Sequence, residues 1–178
     1  MKSKHHHLTT AVTLAIAAGL ASSAWADDLT TEAKAAKDEF LKKDQTLKPV
    51  LDKASGYVIF PSVAKGALGI GAAKGTGQLY ETGNDKPLGE TKLTQVTIGF
   101  QAGGQAYAEL VLFQDKTSLE NFKKGNFEFS AQVSAVAVTA GASANAKYEK
   151  GVMVLTIAKG GLMYEASVGG QKFKFKPY

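Results

Sequence analysis

Lysine and phenylalanine alternate at the end of the chain, in "QKFKFKPY". Successive side chains of an extended strand point to opposite faces. Lys172, Lys174 and Lys176 therefore share one face, and Phe173 and Phe175 the other. A row of ammonium groups with no acid among them suits an anionic surface, and near an anionic bilayer each lysine contributes about 1 kcal/mol. The same pattern also fits a plainer purpose, because lysines on an edge strand discourage edge-to-edge aggregation. Both readings stay open at this level. Lys159, in "LTIAKGG", is a fourth candidate for anion contact. From Ala146 to Tyr178 there are six lysines against two acids, so the basic character is concentrated at this end.

A second stretch that could do chemistry is "GALGIGAAKGTG" at 66–77, with five glycines in twelve positions. A phosphate-binding P-loop ends in Gly-Lys-Ser/Thr, and a dinucleotide fingerprint is G-x-G-x-x-G opening a helix. Here the order is Lys-Gly-Thr, and "TGQLYE" after it is strand-like. Glycines inside strands mark bulges, bends and close backbone approach. They shape a sheet here and do not point to a nucleotide.

Beyond these, reactive side chains are missing. Every one of the 21 basic residues is lysine, and the chain has no cysteine. Its three histidines (His5, His6, His7) and its single tryptophan, Trp25, fall within the first 26 residues. Residues 27–178 thus contain no His, Cys, Trp or Arg. Nucleophilic catalysis most often pairs Ser or Cys with a histidine base, and structural zinc sites use Cys and His. The acids form no calcium loop. The absence of arginine also argues against nucleic-acid binding, which its planar fork serves best. The expectation is a non-enzymatic protein with no cofactor, no metal and no nucleic-acid partner.

The head of the chain reads as an address. A basic start, the apolar run "LTTAVTLAIAAGLASSA" and Ala24-Trp25-Ala26 describe a cleavable secretory signal over 1–26. Its clearly apolar part is shorter than the roughly 20 residues a spanning helix needs. The remainder, 27–178, carries 19 lysines against 16 acids, a net charge of +3. Its length suits one domain with its own core. The expected location is periplasmic or secreted, peripheral on a membrane.

The elements that must position the lysines follow from pattern. Leu29, Ala33, Ala36 and Phe40 fall at helical spacing behind a cap at Thr30-Thr31. A second helix starts near Leu47, with Pro49 in its first turn, and stops at Gly56. "YVIF" is a strand closed by Pro61, and the glycine-rich run makes two strands about a turn near Lys74-Gly75. "ETGNDKPLGE" is a loop. A hairpin turns at Gly103-Gly104, and an inserted helix runs from a cap at Asp115 to Gly125. "NFEFSAQVSAVAVTAGAS", "KGVMVLTIAKGG" and "LMYEASVGGQKFKFK" add three strands. This is an α+β fold: a curved, glycine-rich antiparallel sheet or small barrel, with two N-terminal helices and one inserted helix.

Several segments together resemble the SYLF domain family. They are "LKPVLDKASGYVIFPSVAKGALGIGAAKGTGQLY", "VTIGFQAGGQAYAELVLF" with its Gly99-Phe100-Gln101-Ala102-Gly103 strand, the helix "DKTSLENFKKGNFEF", and "LTIAKGGLMYEASVGG". The ordered set covers nearly all of Leu47–Gly170. The resemblance implies one α+β domain that binds membrane phospholipids, with phosphoinositide and actin binding in eukaryotic members. This chain departs from the family pattern in two places. Its loop "ETGNDKPLGETK" is short and lacks a tryptophan, and its closing segment offers Lys159 where arginine is common. The secretory signal places it where actin is absent. The expected partner is an anionic phospholipid or membrane surface, met through Lys172, Lys174, Lys176 and Lys159. The alternatives are a small outer-membrane barrel and a structural module binding other envelope proteins. A barrel needs an apolar outer band on alternate residues, and lysines stand there instead.

Overall fold

The computed structural model describes residues 27–125, 127–130, 133–159 and 168–178, with backbone alone at 67–70 and 97–103. The expected leader, 1–26, and the strand expected over "LMYEAS" lie outside the described residues.

Helix α1 runs over residues 27–43 and is already helical at the first of them. The cap expected at Thr30-Thr31 is therefore not one, and Thr31 Oγ1 instead donates to the Asp27 carbonyl at 3.0 Å. The apolar stripe behaves as its spacing predicts, with Ala33, Ala36 and Phe40 buried. Helix α2, Leu47–Lys53, buries Leu47 and Leu51. Its exposed side carries a Lys48–Asp52 pair at 2.8 Å.

The sheet is dominated by two very long strands, β1 (Gly56–Glu81) and β2 (Gly89–Phe113), paired antiparallel almost throughout. The turns expected at Lys74-Gly75 and Gly103-Gly104 are thus absent, because both dipeptides continue a strand. Curvature replaces those turns. A register shift between Phe60 and Val63 marks a bulge at Pro61-Ser62, and another falls between Leu68 and Ile70. Pro61 has no N–H to give the ladder, so it bends the strand without closing it.

The first half of β1 also lies against its second half. The Thr82 N–H donates to the Ser55 carbonyl at 3.3 Å. A Cβ at Gly75 would come within 2.9 Å of Val63 Cγ2, and one at Gly77 would run into the Ile59 carbonyl and the Phe60 ring. Glycine in this run is therefore required by close approach of the chain to itself.

The remaining elements are α3 (Lys116–Lys123), β3 (Phe127–Glu128), β4 (Ala135–Ala137), α4 (Ala142–Asn145), β5 (Val152–Lys159) and β6 (Lys172–Pro177). Asp115 caps α3 as expected, its carboxylate accepting from Ser118 N. Among the described residues the strand order is β3-β6-β2-β5-β4, with β1 along the other side of β2. The sheet curls into a half-barrel, the open one of the two forms expected. It is mixed, not wholly antiparallel, because β4 runs parallel to β5. The strand expected over "NFEFSAQVSAVAVTAGAS" is β3, β4 and the short helix α4.

Each face of the sheet has its own core. On one, Phe60, Phe113, Phe129 and Phe173 pack with Leu119 and Phe122 of α3. On the other, Tyr57, Ile59, Leu110, Leu112 and Leu155 pack under α1 and α2. The C-terminal half of β2 lies between both cores, which is why "AYAELVLF" is a nearly unbroken apolar run. Its N-terminal half alternates: Thr91, Leu93 and Gln95 are buried, whereas Lys92, Thr94 and Val96 are exposed. There the helices no longer cover the sheet.

Candidate functional site

The lysines gather where the helix-side face of the sheet emerges from beneath α1. On β6, Lys172, Lys174 and Lys176 are exposed, as their spacing required, and Phe173 is buried beneath them. The Phe173 ring centroid lies 4.6 Å from Phe129, 5.6 Å from Phe122 and 5.9 Å from Phe60. An aromatic anchor thus fixes which way the strand faces.

Register carries the charge across two more strands. On β2, Thr94, Lys92 and Glu90 stand opposite Lys172, Lys174 and Lys176. On β1, Lys74 and Thr76 stand opposite Thr94 and Lys92. Two cross-strand rows result, Lys74–Thr94–Lys172 and Thr76–Lys92–Lys174. Five lysines share this face with two acids. Glu90 lies 3.6 Å from Lys92 Nζ, and Glu128 3.8 Å from Lys172 Nζ. Among the described residues, Lys74, Lys174 and Lys176 make no ion pair.

Lys74 and Lys92 were not legible as site residues. Each stands alone in its own segment, and only strand pairing brings them beside β6. They also bear on the choice between anion contact and edge protection. β6 is flanked by β3 only at Lys172 and Phe173, so Lys174 and Lys176 do stand at a rim. Lys92 does not, since β2 has β1 on one side and β6 on the other. Directly opposed like charges in a sheet are destabilising, so the Lys92–Lys174 pair has a cost that edge protection does not explain. Lys159 is apart from the group. It ends β5 opposite Ala106, on the half of β2 away from β6.

β6 is tied down at both ends. At its start, Gln171 Nε2 donates to Glu109 Oε2 at 3.0 Å and lies 3.3 Å from the Tyr107 hydroxyl. Glu109 is fully buried, and burial pushes its carboxyl up to about 8. The Tyr107 hydroxyl is raised by the same burial and then by the neighbouring carboxyl. At the other end, the Tyr178 N–H donates to the Leu88 carbonyl at 3.2 Å. Gln78 Nε2 bridges the Tyr178 hydroxyl (2.8 Å) and Thr30 Oγ1 of α1 (2.9 Å). Glu109 escaped notice in the sequence because it sits inside an apolar strand with no acidic neighbour.

Beside the lysine rows, a groove of about 440 Å³ opens between α1 and the sheet. Leu29 and Glu32 line it from α1, with Lys74, Thr76, Lys92 and Thr94 from the strands. Among the described residues no group of three or more His, Cys, Asp or Glu side chains is placed to hold a metal ion.

Residues 94–177 match the family described as Ysc84, Las17-binding protein actin regulator. That segment is similar to a Ysc84, or SYLF, domain. It contains Thr94, Glu109, Gln171 and the lysines of β5 and β6, whereas Lys74 and Lys92 lie before it. The chain is also 29% identical over 147 residues to beta cell expansion factor A of Aeromonas veronii, an alignment covering 82% of this chain and 55% of that protein. The chain thus spans about half the length of that relative. SYLF domains are of a non-catalytic kind, associated with lipid or actin.

Proposed function

We propose that this protein is a non-enzymatic module of the cell envelope that adheres to anionic phospholipid through the lysine face of its sheet. The observation that carries this reading is the pair of cross-strand rows with Lys92 at their centre. Its cation lies opposite another cation on an interior strand, at a cost that contact with an anionic surface offsets. Lys172, Lys174 and Lys176 of the SYLF-like segment supply one edge of the face, Lys74 and Lys92 the rest, and Lys159 a separate, weaker contact. At about 1 kcal/mol for each lysine near an anionic bilayer, the face supports binding that is reversible and sensitive to salt. The secretory signal read at 1–26 supports an envelope location. On this reading the partner is a membrane surface, with neither nucleic acid nor actin in that compartment.

Co-sedimentation with anionic vesicles and with neutral vesicles of phosphatidylcholine alone tests the proposal. Binding to the anionic vesicles alone is expected, weakened by salt and by joint replacement of Lys172, Lys174 and Lys176 with glutamine. Equal binding to both kinds of vesicle, or none to either, refutes it.

A further inference from the structure

We propose that the groove between α1 and the lysine rows is a binding site for a phosphoethanolamine-type group, a phosphate carrying a primary ammonium, either free or as a phospholipid headgroup. The lipid-borne form rests on the membrane reading above. The groove's volume of about 440 Å³ lies within the range usual for small-ligand sites.

Its chemistry has two poles. On the sheet side, Lys74 and Lys92 present ammonium groups with three donors each, and the Ser62, Thr76 and Thr94 hydroxyls stand among them. That set complements phosphate oxygens. Gly75 lies between Lys74 and Thr76, and Val63 on the far face of the sheet leaves no room for a side chain there. On the opposite wall α1 contributes Glu32. A carboxylate repels a plain phosphate and accepts hydrogen bonds from an ammonium. Among the described residues Glu32 forms no ion pair with Lys74 or Lys92. Opposite charges therefore line one groove without closing on each other, and a zwitterion spans the gap. Leu29 adds an apolar wall for the short carbon linker.

The test is an amide-resolved NMR titration of the protein with O-phosphoethanolamine, and with inorganic phosphate and phosphocholine in parallel. Shifts are expected at Ser62, Thr76 and Thr94, with O-phosphoethanolamine bound about tenfold more tightly than phosphate, a difference of about 1.4 kcal/mol. Lys74→Ala lowers that affinity about tenfold, whereas Glu32→Gln makes O-phosphoethanolamine and phosphate equal. Both positions are exposed, so neither change threatens the fold. Lys116→Ala, exposed on α3 away from the groove, leaves the titration unchanged. Equal affinity for the two compounds in the unaltered protein, or indifference to Lys74→Ala or Glu32→Gln, overturns the inference. Neutral vesicles with and without phosphatidylethanolamine identify the source. Preference for the former assigns the lipid, and no preference assigns the free compound. If anionic vesicles fail to bind while the titration succeeds, the membrane reading falls and the groove stands.

Discussion

Replacing Glu109 with glutamine isolates the most costly residue of the interior. Glu109 lies on β2, fully buried, with Oε2 accepting from Gln171 and Oε1 without a partner among the described residues. Burial raises its carboxyl from 4.5 to about 8. Because the folded value lies above the unfolded one, the folded state retains a proton that the unfolded chain releases. The contribution of this group to stability is therefore fully present below pH 4.5. It declines as pH rises to about 8 and is constant beyond. At 1.36 kcal/mol per pH unit, the loss reaches about 3 kcal/mol at pH 7.

Glutamine is neutral at every pH and nearly the same size. Its carbonyl still accepts from Gln171, and its amide faces Thr156, directly opposite in the sheet with an unpartnered Oγ1. Urea unfolding at a series of pH values is the assay. Glu109→Gln is expected to match the parent near pH 4 and to exceed it by about 2–3 kcal/mol at pH 7. For a domain of this size that raises Tm by roughly 4–12 °C. Parallel pH profiles for the two proteins refute the reasoning, as does a variant less stable at both pH 4 and pH 7.

Other residues give sharp expectations. The buried Asp44 carboxylate, between α1 and α2, accepts from the N–H groups of Thr46, Gly141 and Ser143, bonds that hold its carboxyl below the usual carboxylate range against the opposing pull of burial. This stabilises the fold above the ordinary carboxylate pKa and is lost as pH falls below it. Asp44→Ala, by chemical denaturation at pH 7, should cost about 2–4 kcal/mol, since several donors lose a charged acceptor. Lys92→Gln removes the cation opposite Lys174, and should raise stability at low salt by about 0.2–1 kcal/mol while weakening anionic-vesicle binding. A drop in both quantities on calorimetry and co-sedimentation contradicts the role assigned to Lys92.

What the sequence disclosed, and what it hid, divides along one physical line. Alternation is local, so "QKFKFK" announced a strand with lysines on one face, and the Asp115 cap was equally plain. Two long strands were misread as hairpins because glycine signals a turn and a curved strand alike. Only the approach of Val63 to Gly75, and of Ile59 to Gly77, shows which applies. Lys74, Lys92 and Glu109 were hidden for a related reason. Their partners lie at least 16 residues away along the chain, and pairing register cannot be read from one strand alone. The bulge at Pro61-Ser62 adds one residue to β1. It turns Ser62 and Lys74 to the helix side and Val63 to the phenylalanine side.

The architecture also explains why lysine, the less selective of the basic side chains, can serve here. An ammonium on a long flexible stem loses rotamer entropy when it is held in one place, and a row of them on a mobile tail would bind weakly. On β6 the backbone is already ordered. Phe173 is sunk in the aromatic core, Gln171 is tied to Glu109 at one end, and Tyr178 is tied to Leu88 and Gln78 at the other. β2 extends that order to Lys92, because the same strand that carries it is buried on both faces at its other end. A surface need only meet ammonium groups whose strands are fixed, so most of the ordering cost falls on folding and little on binding. The buried Glu109, a liability for stability, is then the tether that keeps the first lysine of the row in register with Thr94 and Lys74.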